Sequence, residues 1–321
     1  MSDAGAFEKL LAGGQFAVTA DLSPPDSADP EEVYSRARVF DGYVDAITAT
    51  DSPGANCHMS SVAVCALLER RGYTTVMQVS GRDRNRLAVQ GDVLGASALG
   101  VTNMLCLSGD DVRMGDHPDA KPVLDLDSLS VIAALRTLRD DARFLSGRVI
   151  TTPPRVFIGS ATNPFAGAVD DAVDRLERKI AAGAAFVQTR NCFDIPRLQE
   201  YMGRVRERGL HDDCAILVGV SPLDSYNGAL QIREKVPGMC IPEPVIDRLR
   251  GAGRPKLEGR RLCMELIQQI RDIDGVAGVH VTAYRQEEAV AEIIDASGVL
   301  AGRRPWNPAG QPELQLQRAI P

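Results

Sequence analysis

Short apolar runs recur along the chain, separated by stretches whose apolar residues return every three or four positions. A run of the first kind reads as a buried strand and one of the second kind as an amphipathic helix. The runs predict strands at 16–22, 44–50, 74–80, 103–108, 156–161, 185–190, 215–220 and 278–284. The longer periodicity predicts helices at Pro30–Val39, Ser60–Arg71, Arg84–Leu99, Leu126–Arg139, Pro164–Ala182, Ile195–Arg208, Ser225–Val236 and Gly259–Asp274. In 170–182, for example, Ala172, Val173, Leu176, Ile180 and Ala181 form one apolar face, with Asp171, Arg175, Glu177 and Arg178 outward and Gly183 as a C-terminal stop. Eight strands in strict alternation with eight helices predict an α/β chain closed into a single-domain (β/α)8 TIM barrel over residues 1–300. A further short helix is expected at Pro242–Arg250. Residues 301–321, rich in Pro and Gly, are expected to form a loosely docked tail.

In such barrels the chemistry sits on loops at the carboxyl ends of the strands, so the polar residues there are the candidates. The first strand carries a lone acid, Asp21, and stops at Pro24-Pro25. The second ends in Thr48, Thr50 and Asp51, the third in Gln78 and Ser80, and the fourth in Ser108-Gly109-Asp110-Asp111. Ser160, Thr162 and Asn163 follow on the fifth; Gln188, Thr189 and Arg190 on the sixth; Ser221 on the seventh; Thr282, Tyr284 and Arg285 on the eighth. Asp51 and Asp111 serve equally well as helix N-caps. The cap explanation is weaker for Asp21, because the proline pair already stiffens that turn. Gln188 and Arg190, two apart on one strand, point the same way, and an inward arginine without a partner is costly.

Composition narrows the chemistry. A net charge of −7 over 321 residues argues against a general affinity for nucleic acid or acidic membranes. No run approaches the apolar length of a membrane span, and the N-terminus lacks a secretion signal, so a cytoplasmic protein with a small-molecule partner is expected. The seven cysteines and four histidines show no metal-ligand spacing. No GxGxxG, P-loop, nucleophile elbow or HExxH occurs. On the residues alone the reaction class stays open.

The motifs, in order, decide more. They are TADLSPP at 19–25, ATDSPGANCHMS at 49–60, LCLSGDD at 105–111, LERKIAAGAAFVQTR at 176–190, GVSPL at 219–223, VPGMCIPEPV at 236–245 and GVHVTAY at 278–284. Carried on these strands, they make residues 7–299 resemble the methylenetetrahydrofolate reductases, flavin-dependent barrels of one-carbon metabolism. The resemblance implies noncovalent FAD, with NADH or NADPH as co-substrate, and hydride exchange between 5,10-methylenetetrahydrofolate and 5-methyltetrahydrofolate. It implies catalytic roles for Asp21, as the acid at the folate, and Asp110. Thr50, Gln78, Ser80, Ser108, Gly109, Asp110, Ala161 and Lys179 would bind the cofactor, and Gln188, Arg190 and Arg285 the substrate; no metal is implied. An oligomer or a partner subunit is expected by analogy.

The sequence departs from the family pattern at three positions. Asp21 stands where the family usually has Glu, Arg190 where a glutamine commonly contacts the pterin, and Ile232 near a stacking aromatic of some members. If Arg190 faces Asp21 across the mouth, it would favour the carboxylate and make it a poorer proton donor, which suits oxidation of methyltetrahydrofolate. The competing readings are a non-catalytic folate-binding or partner subunit with the same barrel, and a metal-dependent barrel lyase or aldolase. The latter ranks last, since no lysine ends a strand and the carboxylates do not cluster.

Overall fold

In the computed structural model, which describes residues 5–236 and 238–305, every one of the eight apolar runs is a strand. They are β1 (Ala17–Leu22), β2 (Ala46–Ala49), β3 (Thr75–Ser80), β4 (Asn103–Leu107), β5 (Phe157–Thr162), β6 (Phe186–Asn191), β7 (Ala215–Val220) and β8 (Val276–Val281). Each pairs in parallel with the next, and β8 pairs with β1, so the sheet closes into the expected barrel. Around it lie α1 (Ala6–Ala12), α2 (Pro30–Arg38), α3 (Ser61–Arg70), α4 (Arg86–Ala98), α5 (Ser128–Asp140), α6 (Val169–Ala182), α7 (Ile195–Glu207), α8 (Leu210–Asp213), α9 (Tyr226–Lys235), α10 (Glu243–Gly251), α11 (Pro255–Arg271) and α12 (Glu287–Ser297).

The helices begin where side chains can accept their unpaired first-turn amides. Asp29, Ser60, Asn85, Asp127, Asp194 and Ser225 cap α2, α3, α4, α5, α7 and α9 in this way. Asp127 explains why α5 starts at Ser128 rather than at Leu126. The stretch expected to open α6 at Pro164 is instead loop, in which Asn163 bonds the amide of Phe165 and the carbonyl of Gly238.

Strand parity divides the side chains. Val18, Ala20 and Leu22 of β1, Ile47 and Ala49 of β2, Met77 and Val79 of β3 and their equivalents point outward and join the main core beneath the helices. The opposite parity points into the barrel. At its lower end Ala17, Ala46, Val76, Leu105, Phe186 and Leu217 form a separate apolar layer, closed from below by Phe7 of α1. Phe7 meets Phe186 edge-on at 5.6 Å, and Phe186 stacks on Phe157 at 5.0 Å. The phenyl ring of Phe186 requires glycine beside it: a Cβ at Gly159 would lie 2.3 Å from the ring.

Further elements differ from the sequence expectation. Helix α12 is the eighth helix of the barrel; the expected eighth, 259–274, is α11, which follows the added helix α10 and precedes β8. Helix α1 plugs the barrel floor and was not foreseen, because seven residues carry too short a period to stand out. Strand β8 ends at Val281 rather than 284, since the chain turns there and Arg285 adopts a left-handed φ of 52°. The first residues of the expected loose tail are tied down: Arg303 pairs with Asp45 and donates to the carbonyl of Phe16 at 3.0 Å. Residues 306–321 lie outside the described residues. No described helix is long and apolar enough to cross a membrane.

Because Phe7 is buried in the floor layer (1% exposed), Phe7→Ala should destabilise the fold by about 3–4 kcal/mol. Urea denaturation would show this as a lowered midpoint with an unchanged slope.

Candidate active site

Above the apolar floor the inward positions turn polar, and they converge on a cavity of about 490 Å³ at the carboxyl end of the barrel. This is within the range of small-ligand pockets. Gln188 spans the bottom of this cavity: its amide donates to Thr48 Oγ1 at 3.1 Å, joining β6 to β2 across the lumen. Both residues are almost fully buried.

Asp21, the last inward residue of β1, lines the cavity wall. Its Oδ1 lies 3.1 Å from Nε2 of His280 on β8, yet it is buried without a well-formed hydrogen bond. The other ring nitrogen, Nδ1, is 2.9 Å from Thr19 Oγ1. Thr19 and His280 are register partners on β1 and β8, which is why the three side chains meet. His280 is 4% exposed and Thr19 fully buried.

The wall over β2–β4 is braced by ion pairs, one of which includes the lining residue Asp51. The carboxylate of Asp51 accepts from the amide of Ser80 at 2.9 Å and from Arg84 at 2.5 and 3.2 Å, and Arg84 also pairs with Asp92 at 2.8 Å. Burial opposes the charge on Arg84, but the two aspartates outweigh it and hold its pKa above the usual arginine value. Gln78 accepts from the amide of Asp51 at 3.2 Å. Gly109 follows β4 with φ 89°; a Cβ there would lie 2.3 Å from Ser80 Oγ and 2.6 Å from Arg82 Cβ, so only glycine lets the loop pack this closely. Asp110 accepts from the amide of Gly54 at 2.9 Å, tying the loop after β4 to the loop after β2. Ser108 Oγ accepts from the amide of Ser128 at 3.1 Å.

On the β5–β6 side Lys179 reaches from α6 under the strand ends. Its ammonium donates to the carbonyl of Ala161 and to Ser160 Oγ at 3.2 Å. Burial pushes the lysine pKa down from its ordinary value. Arg190 lies at the rim, exposed, and its guanidinium has no ion-pair partner among the described residues. Met239 lines the mouth from the segment that Asn163 holds through Gly238.

The cavity therefore gathers Asp21, Thr50, Gln78, Ser108, Gly109, Asp110, Ala161, Lys179, Gln188 and Arg190. Two expected site residues lie outside its lining. Ser80 is fully buried behind it, accepting from the amide of Arg82 at 3.1 Å. Arg285 pairs with Asp26 on the loop after β1 and lies against the ring of Tyr284. The expected facing of Asp21 and Arg190 yields no ion pair among the described residues; the neighbour of Asp21 is His280. Arg190 follows Gln188 where the β6–β7 register shifts, and its side chain remains at the exposed rim. Lining residues the sequence reading passed over include His280 and Asn191, and Arg175, expected on the outward face of α6, also reaches the lining. His280 was legible in principle: in GVHVTAY it shares the inward parity of Thr282, between the outward valines 279 and 281. Among the described residues no group of three His, Cys, Asp or Glu side chains could hold a metal ion.

A family model described as methylenetetrahydrofolate reductase matches residues 6–298. The chain belongs to the methylenetetrahydrofolate reductase family. Methylenetetrahydrofolate reductase 1 of Schizosaccharomyces pombe is 26% identical over 212 residues, which cover 64% of this chain and 32% of that protein. The chain thus spans about a third of the length of this curated relative. Among solved structures, an uncharacterised protein from Clostridium thermocellum that binds two copies of 5-methyl-5,6,7,8-tetrahydrofolic acid superposes with a TM-score of 0.63 at 12% identity, covering 92% of this chain and all of that one. A riboflavin lyase solved with modified FMN and riboflavin gives 0.55 at 10% identity, covering 92% and 94%. At these identities the two structures attest the barrel alone.

Arg84→Met would leave the nearly buried Asp51 carboxylate without its counter-ion and should cost about 3 kcal/mol of stability. In the Arg84→Met/Asp51→Asn double variant most of that loss should return, because no charge is stranded; thermal denaturation of the four proteins of the cycle measures the difference.

Proposed function

We propose that this chain is a flavin-dependent oxidoreductase that interconverts 5,10-methylenetetrahydrofolate and 5-methyltetrahydrofolate, with NADH or NADPH as the second substrate. The observation that carries the reading is the cavity itself: a pocket at the carboxyl end of the barrel with the Asp21 carboxyl on one wall and Thr50, whose buried hydroxyl has no partner, in its lining. The residues fit a flavin. Thr50 Oγ1 is buried without a partner, as a group reserved for a ligand would be. Thr50, Gln78, Ser108, Gly109, Asp110, Ala161 and Lys179 would hold the cofactor. Bound FAD would supply the hydride chemistry.

The chain's own part is proton handling, orientation and exclusion of water. The carboxyl of Asp21 gives a proton to the folate nitrogen as the bridging ring opens, and takes one back when the ring closes. Gln188, fixed by Thr48, presents its amide oxygen to the polar edge of a pterin from the cavity floor. Arg190, exposed and without an ion-pair partner among the described residues, suits the anionic glutamate tail of a folate at the rim. Asp110, held by the Gly54 amide, keeps the loops after β2 and β4 closed on the same wall. The imidazole neighbour of Asp21 gives no reason to favour the oxidative direction, which rested on an Asp21–Arg190 pair.

Purified protein should be yellow, and stopped-flow mixing should show its visible absorbance bleached by NADH or NADPH and by 5-methyltetrahydrofolate. Asp21→Asn should slow the folate half-reaction by about 100-fold or more while the nicotinamide half-reaction, which moves no proton at this carboxyl, changes little. A colourless protein that still binds folate would favour the non-catalytic subunit.

A further inference from the structure

Of the eight large apolar side chains exposed among the described residues, five lie on three neighbouring segments: Leu87, Val123, Leu124, Leu145 and Val149. Hydrogen bonds hold these segments together. The amide of Arg86 donates to Asp125 at 2.8 Å and its guanidinium pairs with the same carboxylate, which brings Leu87, at the start of α4, next to Leu124. Leu145 lies on the antiparallel turn closed by Arg143 and Val149, and its amide donates at 2.7 Å to Gln90, three residues along α4 from Leu87. The five side chains form an apolar ridge on the outside of the barrel. Its centre is fixed on both sides. Val123 donates its amide to the carbonyl of Arg82 at 2.8 Å. Leu126 is buried, with its carbonyl so close to Gly81 that a Cβ there would lie 2.1 Å away. Between these anchors Leu124 holds a left-handed φ of 52° and is 77% exposed, as is Leu87. A leucine disfavours that backbone conformation and that exposure, and a lone chain gains nothing from either.

We propose that this ridge is the contact face of a homodimer, with a second copy of the chain packed on it about a twofold axis. Charge selects the occupant. The chain carries a net charge of −7, so two copies repel each other. The segments that bear the ridge, 82–92, 119–127 and 139–150, carry seven basic and seven acidic side chains, so the repulsion is weakest here. Several of these charges are already paired within the chain: Arg86 with Asp125, Arg84 with Asp92 and Arg139 with Asp140. A strongly acidic or basic partner finds no net field to steer it to this face. A second copy brings the same apolar residues to the other side, as an isologous contact requires. The end of this chain is the poorer occupant. Its described part leaves below β1 and β2, where Arg303 is tied to Asp45 and the Phe16 carbonyl, whereas the ridge begins at the loops after β3 and β4. The dimer does not depend on the reaction assigned to the cavity.

Sedimentation velocity on the full chain, from about 1 to about 100 μM, tests the proposal. The parent should become dimeric within this range. Leu87→Glu/Leu124→Glu replaces two exposed side chains, so it should fold normally by circular dichroism yet stay monomeric throughout, a weakening of at least about 100-fold. Leu99→Glu, which adds a carboxylate at the far end of α4, should dimerise as the parent does. A parent that is monomeric at about 100 μM overturns the proposal, as does a double variant that dimerises like the parent or a Leu99→Glu variant that is equally impaired. Amide hydrogen exchange locates the face independently. Exchange in 84–90 and 121–126 should be slower at the dimeric concentration than at the monomeric one. A dimer that protects other segments and leaves these unchanged overturns the assignment.

Discussion

Closure of the eight-stranded sheet is the constraint on which everything else here depends. In a closed parallel barrel one set of alternate residues must face the helices and the other must face the lumen. The outward set is therefore mostly apolar, and the inward set is free to change character with height. In this chain it changes once. The lower layer is carbon, sealed by Phe7, Phe157 and Phe186, and the upper layer is oxygen and nitrogen. The boundary between them sets the depth of the cavity.

Closure also brings into contact residues that are remote in the chain. Thr19 and His280 are separated by 261 positions and touch because β8 pairs with β1. Gln188 and Thr48 are separated by 140 and touch because β6 and β2 lie opposite each other. Such contacts are short and buried, so each polar group must find a partner or be left for a ligand. Of the buried side-chain polar atoms without a hydrogen-bond partner among the described residues, Thr50 Oγ1 and Asp21 Oδ1 belong to residues on the cavity wall. The supports of the wall, Asp51 with Arg84 and Arg82 with Asp83, are ion pairs whose geometry keeps the loops after β2, β3 and β4 in register.

Much of this was legible in the chain. The strands could be read because a buried parallel strand is an uninterrupted apolar run, and the helices because one face repeats every three to four residues. Asp21 stood out as an acid at an inward position of a strand whose other parity was apolar. Helix α12 was missed because α11, which lies before β8, had already been counted as the eighth helix. His280 was missed because it was weighed with the other histidines as a possible metal ligand rather than by its parity on β8. Arg285, expected in the site by its place after β8, pairs with Asp26 from a left-handed turn.

By itself the sequence determined the barrel and, through the motifs in their order, the family. These are local or additive properties: periodicity is set by neighbours three or four residues away, and a motif is recognised without knowing what it touches. Only the tertiary structure decided which polar groups face one another. That Asp21 meets an imidazole from the last strand, and not the guanidinium of Arg190, depends on strand register and closure, and a one-residue shift of β8 against β1 would have turned His280 outward into the helical layer.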